Sequence, residues 1–121
     1  MIAPPRSKFD LDLSFGQVGE RKLESILKTS KIEVKYDRLT QKTGNVVVEF
    51  ESRGKRSGIS TTDAQWWAFV IEKKNEEPSI ILVPIDKLKK ICRNAYSEKR
   101  FVCGGDNKTS RLILIKKEEL L

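Results

Sequence analysis

The run TGNVVVEFESRGK, Thr43 to Lys55, carries two glutamates two residues apart, Glu49 and Glu51, at the end of an apolar alternation. Side chains two apart on a strand point the same way, so this spacing sets two carboxylates on one face. A third acid, Asp37, closes the preceding alternating run KIEVKYD. If the two runs pair as an antiparallel hairpin, Asp37, Glu49 and Glu51 converge. Three carboxylates repel one another unless protons or a cation neutralise them. Mg²⁺ suits such a site: it prefers oxygen, keeps several waters and joins one or two protein carboxylates to a substrate phosphate. It can also activate a water and stabilise charge on a phosphate being cleaved. The alternative is a solvated acidic face paired with Lys35, Arg53 and Lys55, since Glu-x-Glu on a strand is common.

The chain contains no histidine. That removes serine and cysteine hydrolases of the usual type, His-based metal nucleases, zinc deaminases and most zinc enzymes. Hydrolysis would have to run on carboxylates, lysines and an oxygen-loving cation. Cys92 and Cys103 are too few for a disulfide framework or a four-ligand zinc site and read as reduced and structural. An excess of 24 Lys and Arg over 17 Asp and Glu, net +7, favours a polyanionic partner. No apolar run approaches the roughly 20 residues of a membrane span, and the start MIAPPRSKFD lacks a secretory core, so a cytoplasmic location and no membrane partner are expected.

The elements that must position the acids follow from periodicity. Residues 1–13, with two adjacent prolines, read as a flexible N-terminal arm, and 14–121 as a single domain. Ser14 with Gln17 forms a capping box, flanked by the staple Leu13 and Val18, which predicts a helix from Phe15 to about Thr29. Its apolar stripe is Phe15, Val18, Leu23, Ile26 and Leu27. KIEVKYD and VVVEFE are strands joined by a loop ending in Thr43-Gly44-Asn45, with Val46, Val48 and Phe50 on one face and Val47, Glu49 and Glu51 on the other. SRGKRSGIS is a basic loop; Ser60 or Thr62 caps a short helix TDAQWW leading into a strand around WAFVIEK. IILV is a buried strand, and Pro84 starts a helix with Ile85, Leu88, Ile91, Cys92 and Ala95 at helical spacing. FVCGGDNKTS is a loop and RLILI the last strand. The fold class is α/β: a mixed β-sheet with antiparallel first strands flanked by helices.

An Asp on one strand and Glu-x-(Lys or Glu) on the next, preceded by a helix bearing a Glu and followed by a helix, resembles the PD-(D/E)XK nuclease superfamily. The residues are Glu20, Asp37, Glu49 and Glu51. The wider run VKYDRLTQKTGNVVVEFES, with GISTTDAQWWAFVI and the later GGDN, is similar to small phage-borne or bacterial members. The resemblance implies a restriction-endonuclease-like core in which Asp37 and Glu49 bind Mg²⁺, with Mn²⁺ as a substitute, helped by the backbone carbonyl of Phe50. Glu20 would reach the ion through water. Glu51 stands where most members carry lysine, though some restriction endonucleases of the superfamily have Glu there; Lys35 or Lys55 would return the missing positive charge. Gln65 falls where related nucleases often place a polar residue toward the active site.

The function expected is a Mg²⁺-dependent endonuclease hydrolysing DNA, structure-specific or weakly sequence-specific, with resolvase-like action on branched DNA as one form of it, and working as a homodimer. Lys42, Arg53, Lys55 and Arg56 would hold phosphates beside the cleft, with Thr61 ahead of a helix N-terminus and Asn107 in the glycine loop as further backbone contacts. No nucleotide cofactor is expected, because the Walker spacing is missing. The competing readings are a catalytically inactive basic DNA-binding protein on a nuclease scaffold and a protein-interaction domain.

Overall fold

In the computed structural model, residues 8–121 are described for the backbone and 13–121 for side chains. Two compact units result, one ending at Ser30 and the other running from Lys31 to Leu121. The first is α1, Lys8–Thr29. It begins well before the expected start at Phe15, and Ser14 and Gln17 lie inside it. No proline or glycine interrupts residues 8–15, so nothing stops the helix propagating toward its N-terminus. The rest of the arm, with its prolines, lies outside the described residues.

The second unit is α/β, with mixed strand directions. Its order is β1 (Ile32–Asp37), the four-residue α2 (Thr40–Thr43), β2 (Asn45–Ser52), β3 (Lys55–Arg56), β4 (Trp66–Ile71), β5 (Ser79–Pro84), α3 (Ile85–Ser97), β6 (Phe101–Gly104) and β7 (Ser110–Lys116). The strands form two sheets, β1-β4-β5 and β3-β2-β7-β6. The expected hairpin between the first two strands is absent: β1 pairs in parallel with β4, and β2 pairs antiparallel with β7. The intervening segment is not a two-residue hairpin turn, because Thr40–Thr43 coils into a helical turn closed by Gly44 at φ +75°.

TDAQWW forms no helix. Aromatic and β-branched residues from Trp66 onward are claimed by the central strand β4, hydrogen-bonded on both sides, and the preceding segment holds only a 3₁₀ turn at Gly58–Ser60. Alternation along β4 sends Trp67 to the core at 1% exposure. IILV is only partly buried: Val83 is enclosed, whereas Ile80 on the edge strand is exposed. FVCG, expected as loop, is β6, paired to β7 from Phe101↔Ile113 to Gly104↔Ser110.

The core gathers Val46 and Val48 of β2, Trp67, Phe69 and Ile71 of β4, Val83, Leu88 and Ala95 of β5 and α3, and Ile113 and Ile115 of β7. Helical spacing in α3 turns Leu88, Cys92 and Ala95 inward as expected. The charged C-terminal run is a 3₁₀ turn, Lys117–Leu120, that buries Leu120. It is held by Arg100, whose Nη1 and Nη2 donate to Glu119 at 2.8 and 2.9 Å. That guanidinium holds the Glu119 carboxyl below the ordinary glutamate value.

A depressed acid stabilises the fold above its unfolded pKa, and the contribution disappears as pH falls through the folded value. Glu119→Gln is therefore expected to cost roughly 1 kcal/mol at pH 7 and less at pH 3, as read by denaturant titration. An equal loss at both pH values would show that the ion pair is not the source.

Candidate metal and nucleic-acid site

Register decides which side chains share a face. β1 is an edge strand, and its partners on β4 set Glu33 beside Trp67, Lys35 beside Phe69 and Asp37 beside Ile71. Glu33, Lys35 and Asp37 therefore look to the core side of the sheet, while Val34 and Tyr36 look away, each more than half exposed. On β2 the alternation is broken. The register shifts between Glu49 and Glu51, so that Glu49 opposes Leu112 but Glu51 opposes Arg111. Phe50 is the extra residue of a β-bulge. Arg111 shares a face with Ile113 and Ile115, so the bulge carries Glu51 to that side, opposite Val47 and Glu49. The expected common face for Glu49 and Glu51 is thereby lost.

The side chains confirm the separation. Glu51 accepts from Arg111 Nη1 at 3.3 Å, and Arg111 lies 5.0 Å from the Phe50 ring and 5.3 Å from the Phe101 ring. Glu49 instead accepts from Ser57 Oγ at 3.0 Å. Asp37 is buried, and its Oδ1 accepts from the backbone N–H of Leu39 and Thr40 at 2.9 and 2.8 Å, which turns the chain into α2. The Phe50 carbonyl accepts from Ser57 N and Ser60 Oγ, so both of its lone pairs are taken and it does not fit as a metal ligand. Among the described residues, no three Asp, Glu or Cys side chains stand together as a metal cluster.

Two other acids are tied to a single segment. Thr62 Oγ1 donates to Glu33 Oε1 at 3.2 Å, so Glu33 and Glu49 are both bonded to hydroxyls of one segment, Ser57–Thr62. That segment is pressed onto β2: a Cβ at Gly58 would lie 2.1 Å from the Glu49 carbonyl oxygen. Lys35 Nζ lies 2.9 Å from Glu33 Oε2 and 5.1 Å from the centre of the Trp67 ring. Trp67 Nε1 in turn donates to Thr62 Oγ1 at 3.3 Å. Sequence reasoning misses Glu33, although Glu33-Val34-Lys35 itself has the Glu-x-Lys spacing that could have marked it.

Next to this network a cleft of about 620 Å³ is lined by Lys35, Asp37, Arg38, Lys42 and Val47 among others. It unites three of the expected residues, Lys35, Asp37 and Lys42. The other basic candidates lie elsewhere. Lys42 precedes β2, whereas Arg53, Lys55 and Arg56 follow it, roughly 25 Å away along an eight-residue strand. Arg53 N donates to Thr109 O, so that hairpin tip neighbours the loop carrying Asn107, whose φ of +58° is left-handed. Thr61 is exposed beyond the 3₁₀ turn and precedes no helix, and Gln65, expected near the reaction, spends its Oε1 on Lys31 N at 3.0 Å. Glu20 is exposed on α1.

No family model, curated protein or solved structure matches the chain. The site must be judged on its own chemistry. Cys92 can be set aside as a nucleophile, because burial pushes its thiol up to about 12. Among the described residues no helix is long and apolar enough to cross a membrane.

Proposed function

We propose that the chain is a cytoplasmic metal-dependent endonuclease of the PD-(D/E)XK type acting on DNA, with Glu33, Lys35 and Glu49 at its centre. The observation that carries this reading is the attachment of two carboxylates to one hydroxyl-bearing segment, with a lysine on the same strand face. Mg²⁺ needs only one or two protein carboxylates beside a substrate phosphate, so Glu33 or Glu49 would suffice to hold it without three converging acids. When bound, Mg²⁺ would lower the pKa of a water and neutralise charge on the phosphate. Lys35 would place a positive charge beside a non-bridging phosphate oxygen, and its contact with the Trp67 ring limits its motion. Thr62 and Ser57 hold the two carboxylates by hydrogen bonds and so fix their orientation. Asp37 shapes the cleft by turning the backbone into α2.

A homodimer would supply the paired cuts that a duplex requires. Support for it comes from an apolar sheet face: Val34 and Tyr36 of β1 and Ile80 of β5 share one side and are 61%, 59% and 64% exposed. The non-catalytic alternative, a basic DNA-binding protein on this scaffold, draws support from the Glu33–Lys35 ion pair, which leaves both groups engaged.

The test is incubation of the protein with linear, flapped and four-way DNA in Mg²⁺, Mn²⁺ or EDTA. Metal-dependent cleavage is expected, falling at least about 100-fold in Glu33→Gln and in Glu49→Gln while DNA binding survives. Cleavage in neither metal on any of these substrates, or undiminished cleavage by both variants, would sink the reading.

A further inference from the structure

We propose that the pocket between the Ser57–Thr62 segment and α3 holds one unpaired nucleotide of a single DNA strand. It encloses about 300 Å³, the lower end of the range for ligand pockets. Arg56, Lys89 and Arg93 line it, and no carboxylate does. Among the described residues none of these three cations is in an ion pair. Lys89 and Arg93 stand four apart on α3, an arrangement of like charges that disfavours a helix. An anion between them relieves the repulsion. Arg56 is held at the pocket by donating from Nη2 to the Ser60 carbonyl at 2.8 Å.

The same pocket has an apolar lining of Phe50, Ile59 and Ile113, with Cys92 as a neutral thiol among them. Cations alone would suit any phosphate. Cations over an apolar floor suit a phosphate joined to a flat, weakly polar ring, which is a nucleotide. A base inside a duplex has its faces stacked and cannot reach such a floor, so the nucleotide must be unpaired.

One segment serves both places: Ser57 and Thr62 bond the acids Glu49 and Glu33, while Ile59 and Ser60 line the pocket. The proposal rests on the DNA reading above but on no catalytic step. It narrows the substrate to DNA with an unpaired nucleotide, such as a flap or a single strand.

The experiment measures binding in EDTA by fluorescence anisotropy, using a labelled oligothymidylate and a blunt duplex without unpaired nucleotides. The wild-type protein should prefer the single strand. Lys89→Gln/Arg93→Gln should weaken oligothymidylate binding by about 10-fold, and the double charge reversal to Glu by about 100-fold, with a much smaller loss on the duplex. Unchanged melting temperature in the Gln variant shows that folding is intact, and that variant carries the test if the reversal does not fold. Wild-type affinity in the Gln variant, or equal losses on both DNAs, would overturn the pocket assignment. So would equal displacement by polyglutamate of matched charge, which would mark an acidic-peptide site. Loss of single-strand binding in a protein that cuts nothing upholds the pocket and defeats the nuclease; cleavage with unimpaired pocket variants does the reverse.

Discussion

Gly58→Ala is expected to lower stability by at least roughly 2 kcal/mol and to displace the hydroxyl contacts to Glu49 and Glu33 at the same time. Gly58 sits at φ +54°, where an L side chain costs about 1–2 kcal/mol by conformation alone. The new Cβ would also meet the backbone of Glu49, at 2.1 Å from its oxygen and 2.8 Å from its carbonyl carbon. Neither atom is the end of a flexible side chain, so the turn itself must shift. Ser57 lies next to Gly58, and the backbone N–H of Thr62 donates to the Gly58 carbonyl, so both hydroxyl contacts to Glu49 and Glu33 move with it. Gly44→Ala is the control, because Gly44 has φ +75° but nothing within 4 Å of its added Cβ. It should show the conformational cost alone. Denaturant titration of the two variants decides the matter: equal losses would mean that the close approach to Glu49 is of no consequence.

The second large effect is expected at Trp67. It is 1% exposed, packs against Phe69 at 6.0 Å between ring centres, and reaches Thr62 through its indole N–H. Trp67→Ala should cost about 3–5 kcal/mol, the sum of lost transfer energy and an unfilled cavity. Trp67→Phe should retain most of the packing and lose about 1–2 kcal/mol, from the indole hydrogen bond and the weaker attraction of Lys35 for a phenyl ring. Because Thr62 orients Glu33, the Phe variant is also expected to lose the proposed nuclease activity out of proportion to its stability. An active Phe variant would confine Trp67 to packing.

Local structure was legible wherever one periodicity prevailed. Ile32–Asp37 alternates without interruption and is a strand, and Leu88, Cys92 and Ala95 recur at helical spacing and face the core. Failure began where local signals competed. Ser60 and Thr62 look like caps ahead of TDAQWW, yet Thr62 Oγ1 is used by Ala64 N, Trp67 Nε1 and Glu33, and the aromatic residues enter a sheet between two neighbours. Capping preference amounts to about 1 kcal/mol, whereas burying one tryptophan is worth several times that. FVCG was hidden for a related reason: four residues beside two glycines carry little pattern, and the strand exists through its pairing with β7.

The acids show where the boundary lies. From residue types alone it followed that any hydrolysis here depends on carboxylates, lysines and a hard cation, since no histidine is present. Where each carboxylate sits was settled by non-local pairing. Strand parity is a property of the two paired strands, and a single bulge at Phe50 sends Glu51 to Arg111 while Glu49 stays with Ser57. Likewise Glu33 acquires its place only when β1 pairs with β4 and the Ser57–Thr62 segment folds back over β2. Alternation tells which residues share a side of one strand; it carries no information about which strand, loop or bulge will lie opposite.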